Sequence, residues 1–265
     1  MASFKYLTVE TADGVAVCTI NNPPQNLMNA EMVTELSQLA DQVEADASVR
    51  VLVLTGGVPG VFITHYDVRE LLTISEALRQ APAGPPSELH AVHQAFNKLQ
   101  FSSKPVIAAL NGITMGGGCE LALGCDFRFM ARVGVIGQPE ILVGILPGAG
   151  GTQRLARVLG PARALDLALT GRVVGADEAE AIGLVHKALD ADQLMPYALD
   201  FARSLAGQPP LSVAMIKKCV HEGGQLPLLD GLRLEQDCFW QTMVSDDAQR
   251  LMKDYVEGRL GPLTG

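Results

Sequence analysis

The chain has no C-x-x-C pair, no basic stripe and no long apolar run, and each absence removes a class of function. Its five cysteines, Cys18, Cys119, Cys125, Cys219 and Cys238, are odd in number. That fits reduced thiols in a cytoplasmic compartment better than a disulfide framework. A net charge of −9 without clustered lysine or arginine offers nucleic acid little to bind. No run approaches the roughly 18 apolar residues of a membrane helix, so no membrane association is expected. The opening MASFKYLTVE enters strand-like alternation directly, with neither a signal-peptide nor a transit-peptide profile. G-x-S-x-G and P-loop signatures are also missing. What is present is core-forming material. Hydrophobic residues make up 48% of 265, enough for one large α/β domain with or without a small appendage.

Alternation predicts strands over Phe4–Val9 and Gly14–Asn21, joined at the Asp13-Gly14 turn. A helix is expected over Glu31–Ala45, where Met32, Leu36, Leu39, Ala40 and Val43 recur at helical spacing. Val51–Leu54 reads as a buried parallel strand. A short helix from Val68 precedes Ala81–Ser87 (APAGPPS), whose prolines and glycine mark an exposed connection. A helix over Glu88–Leu99 and a strand over Pro105–Leu110 follow, and short strands alternate with helices as far as Val185–Ala188. Beyond Asp190 the pattern is wholly helical, over Asp192–Leu205, Pro210–His221, Leu228–Val244 and Asp246–Val256. The chain therefore divides into an α/β core over 1–190 and a helical region over 191–265, expected to serve oligomerisation.

The chemistry concentrates between Asn111 and Gln153. Glu120 follows the triple glycine Gly116-Gly117-Gly118, and Glu140 follows Gln138-Pro139. Glycine lets a ligand approach backbone N–H groups closely, and a helix starting at Gly116–Cys119 would point its first amides at the same place. An anion cradle, a carboxylate beside it and a second carboxylate on the next segment are the parts of an active site.

Lys104-Pro105-Val106-Ile107-Ala108-Ala109-Leu110-Asn111-Gly112, then GGGCELALGCD, GQPE and PGAGGTQRL, resemble the enoyl-CoA hydratase/isomerase (crotonase) superfamily. Val51–Gly56 and Leu169-Thr170-Gly171-Arg172 fit it as well. The resemblance implies a crotonase-like spiral of ββα units with a C-terminal helical region, assembled as trimers or dimers of trimers. It implies an acyl-CoA thioester substrate whose oxygen is held by the backbone N–H groups of Tyr66 and Gly117. Glu120 would hold and activate water, and Glu140 would deliver a proton to Cα. Ile63, His65 and Gly148 would contact substrate. No metal and no separate cofactor are implied, coenzyme A being part of the substrate. Hydration of a 2-enoyl-CoA is the leading expectation, since the family's isomerases tend to work with the second glutamate alone. Isomerisation, another acyl-CoA lyase or hydrolase reaction, and a non-catalytic scaffold are the alternatives.

The chain departs from the family pattern at the oxyanion loop, where His65 takes a glycine position and Tyr66 is bulky. Near its C-terminus, Arg259 and Lys253 stand where relatives cluster basic residues. Other patterns read more simply. His90 and His93 lack further ligands at metal spacing and read as a solvated helix face. Cys119 has no evident partner base and reads as packing. GAGGT at 148–152 has Gln153 where a dinucleotide fingerprint requires its third glycine.

Overall fold

Apolar, β-branched runs form strands that pass the chain back and forth between two sheets. The computed structural model describes residues 4–80 and 87–261, so the connection read at Ala81–Ser87 lies, except for Ser87, outside the described residues. The larger sheet contains β1 (Leu7–Ala12), β2 (Val15–Ile20), β3 (Val51–Gly56), β5 (Val106–Leu110), β7 (Phe127–Ala131) and β10 (Lys187–Leu189), in that spatial order. Only β1 runs antiparallel to its neighbour. The smaller sheet holds β4 (Val61–Ile63), β6 (Ile113–Met115), β8 (Val135–Gly137) and β9 (Val173–Gly175), with β9 antiparallel to β8. In three successive turns, β3–β4, β5–β6 and β7–β8, the first strand joins the large sheet and the second joins the small one. This is a spiral of ββα units.

Helices α2 (Val68–Gln80), α4 (Gly117–Leu123) and α5 (Gly151–Leu159) complete these turns. The third turn interposes a 3-10 segment, Glu140–Val143, before α5. Then come α6 (Pro161–Thr170) and α7 (Ala176–Ala181). Helix α1 (Ala30–Ala45) starts where the Asn29 side chain accepts from Met32 N at 2.8 Å. Its Met32, Leu36, Leu39 and Val43 pack with α3 (Ala91–Gln100) in the main core. Period-two alternation sends Leu52 and Leu54 into that core, and Val51 and Val53 to the sheet's other face.

That second face is covered by α8 (Leu194–Ala206), through Leu194, Ala198 and Ala202. The change from strands to helices at 190/191 is therefore not a break in the core. Helices α9 (Pro210–His221), α10 (Leu228–Met243) and α11 (Asp246–Val256) continue outward. The first strand begins later than alternation predicts, because Lys5 N and Tyr6 N donate to the Glu35 carboxylate at 2.7 and 2.9 Å. The helix after Val68 has thirteen residues, none of them buried.

Candidate active site

Strands β4, β6 and β8 lie side by side and parallel, so their C-terminal ends form a row spaced at about 4.8 Å per strand. Just beyond those ends come His65-Tyr66, Gly116-Gly117 and Gln138–Glu140. Three segments far apart in sequence thus meet at one place.

The segment after β4 is pinned from the side. Met28 N donates to His65 O at 2.9 Å, and Asp67 N donates to Met28 O at 2.7 Å. Because His65 O and Asp67 N both face Met28, the intervening Tyr66 N–H turns the other way, toward α4. Tyr66 N lies 3.6 Å from where a Cβ on Gly117 would fall. Gly117 opens α4, so its own N–H has no acceptor within the helix. A Cβ on Gly118 would sit 2.5 Å from Ile63 O, so only glycine lets the helix lie this close to β4. Asn26, fully buried, supports the loop by donating to Ile20 O and Phe62 O.

Glu120 is 3% exposed, and its Oε1 accepts from Ala149 N and Gly151 N, each at 2.7 Å. Burial pushes its pKa up, while the two amides and the Arg154 charge pull against that rise. Glu140 opens the 3-10 segment and is pushed up to about 7, chiefly by burial, with its own backbone amide opposing and the Glu120 charge adding. Between the two lies the carboxamide of Gln138, itself fully buried. One of its terminal atoms is 2.7 Å, and Glu120 Oε1 2.9 Å, from a Cβ position on Gly151. The orientation its neighbours favour puts Nε2 at 2.8 and 3.1 Å from the two Glu140 oxygens, donating to both. A Cβ on Gly116 would meet Glu140 Oε1 at 3.1 Å and His65 Cβ at 3.3 Å, so both flank the glycine run.

The remaining site residues read from the sequence are placed as follows. Ile63 is fully buried and packs beneath Gly118, supporting α4 from below. His65 is half-buried, with Nδ1 2.7 Å from Tyr66 O. A carbonyl only accepts, so Nδ1 carries the proton in this geometry. Gly148 is exposed beside the turn that holds Glu120. Cys119 is fully buried, its thiol pushed far up by burial. Among the described residues no three His, Cys, Asp or Glu side chains gather as metal ligands. Sequence reasoning missed Gln138, Asn26, Arg154 and the Ala149 and Gly151 amides. Gln138 lies inside the GQPE motif, but spacing says nothing of where its side chain points. The arrangement places two donors beside two carboxyl groups of unequal setting, suited to holding a developing oxyanion and exchanging protons next to it.

The model of the enoyl-CoA hydratase/isomerase family matches residues 10–264. The chain belongs to the enoyl-CoA hydratase/isomerase family. A Mycobacterium leprae protein named probable enoyl-CoA hydratase is 36% identical over 98% of this chain and 99% of its own length. The short-chain-enoyl-CoA hydratase of Clostridium acetobutylicum is 34% identical, over 95% of this chain and 94% of its own. The crystal structure of an enoyl-CoA hydratase from Bacillus anthracis superposes with a TM-score of 0.87 at 31% identity, covering 96% of this chain and 97% of the other.

Proposed function

We propose that this protein is a lyase that adds water across the C2–C3 double bond of a 2-enoyl-CoA thioester. The observation that carries the reading is the convergence of Glu120, Glu140 and the Tyr66 and Gly117 amides at adjacent strand ends. Several relatives are named as hydratases of such thioesters, which supports the same substrate class here.

The Tyr66 and Gly117 N–H groups would hold the thioester oxygen as it gains enolate charge. One such donor is typically worth about 3–4 kcal/mol in the transition state. Glu120, fixed by two amides that favour its carboxylate form, would orient water at Cβ and take its proton. Glu140, carrying a proton at neutral pH in part of the molecules, would deliver it to Cα. His65 and Gly148 would border the substrate, and Ile63 would act through the backbone it supports. Coenzyme A enters as part of the substrate, and the reading uses no further cofactor or metal.

The test is loss of 2-enoyl absorbance with crotonyl-CoA, with product analysis by mass spectrometry and a parallel 3-enoyl-CoA reaction. Glu120→Gln and Glu140→Gln should each lower kcat by about 10²–10⁴-fold. Binding of a saturated acyl-CoA should persist in both. Near-normal hydration by either variant, or double-bond migration without hydration in the unsubstituted protein, would overturn the reading.

A further inference from the structure

The turn that grips Glu120 is itself held by a side chain with no role in the reaction proposed above. Arg154, in the first turn of α5, donates from Nη1 to Ala149 O at 3.0 Å. Its Nε donates to Gln100 Oε1 at 2.8 Å and its Nη2 to Asn97 Oδ1 at 2.6 Å, both acceptors on α3. All three acceptors are neutral. The guanidinium's positive charge is thus left to act on Glu120, whose carboxylate it favours.

Gly150 makes room for this arrangement. Its φ is +101°, and a Cβ there would lie 2.2 Å from Arg154 Nη1. The glycine between the two amides that bind Glu120 is therefore also the surface on which the guanidinium rests. Arg154 reaches the same three-residue turn from behind that Glu120 reaches from the front.

We propose that Arg154 is a positioning residue for Glu120, anchoring the Ala149–Gly151 turn to α3 and setting a positive charge behind the turn that holds the buried carboxylate. The mechanistic weight of this rests on the hydration reading, while the electrostatic part does not. The other ionisable groups around Glu120 are Glu140, from the 3-10 segment, and Cys119 on α4. Around Arg154 they are Cys125, Arg157 and His93. Arg157 bonds Gln153 on its own helix. Removing the Arg154 charge removes an influence that favours the ionised form, so Glu120 must titrate at higher pH.

His93 also senses Arg154, so a kinetic pH profile alone is ambiguous. The deciding measurement is carbon-13 NMR titration of full-length protein labelled at the glutamate carboxyl carbons, with Glu120 assigned by the signal lost in Glu120→Gln. In Arg154→Gln the Glu120 midpoint should rise by about one pH unit. The acid limb of crotonyl-CoA hydration should rise with it. Below the midpoint kcat should fall about tenfold, with KM within about twofold. Arg154→Lys should recover part of kcat, keeping the charge without the planar fork. Asn97→Leu loosens one anchor and carries the same titration if Arg154→Gln does not fold, with a smaller rise expected. An unmoved Glu120 midpoint in whichever variant folds sinks the proposal. A moved midpoint in a protein that hydrates no enoyl-CoA would leave Arg154's role standing and refute the hydration reading instead.

Discussion

A carboxyl group pushed up to about 7 is close to half protonated at neutral pH, and Glu140 is in that position. If it supplies the proton to Cα, hydration should weaken as pH climbs through about 7, and a kcat profile from pH 5 to 9 reads this directly. The same group bears on stability. Its folded value lies above the ordinary carboxyl value of about 4.3, so the stability due to its protonated form is complete below that value. That contribution is lost as pH rises through about 7. Glu140→Gln should therefore raise the melting temperature relative to the unsubstituted protein more at pH 8 than at pH 5, as thermal unfolding at the two values will show. At this scale Glu120 and Glu140 were legible because glycine and proline mark their surroundings. Gln138 and Arg154 were not, because their partners come from other turns of the chain and no local period encodes a side chain's direction.

Among elements, α4 is tightly constrained, since its second residue touches the backbone of β4. Gly118→Ala would force a Cβ to within 2.5 Å of Ile63 O, so the helix must move away. Overpacking of this kind costs about 1–3 kcal/mol. Denaturant unfolding should show that loss, and activity should fall further because the Gly117 amide moves with the helix. The long helices were read well: α9 and α11 have the expected bounds, the first opening on Pro210 and the second capped by Ser245. Strands β4, β6, β8 and β9, three residues each, are too short to show a period of two, so short strands were expected beyond Leu123 but their pairing into a second sheet was not readable from the pattern. The late start of β1 was equally hidden, because Glu35 competes for its amides from another element.

For the molecule as a whole, the outer helices leave much apolar surface uncovered. Leu228, Phe239, Trp240 and Val256 are 77%, 54%, 54% and 83% exposed. A trimer or dimer of trimers, the assembly that the family resemblance implies, would cover side chains of this kind. Light scattering should give the corresponding mass, and Trp240→Glu should shift the population toward monomer. The row of strand ends has a different consequence. Because Tyr66, Gly117 and Glu140 hang from neighbouring rungs of one small sheet, their spacing is set first by main-chain pairing. Helix α2, without a buried residue, stands outside that ladder. Evolution can redraw that helix while Tyr66, Gly117 and Glu140 keep their footing.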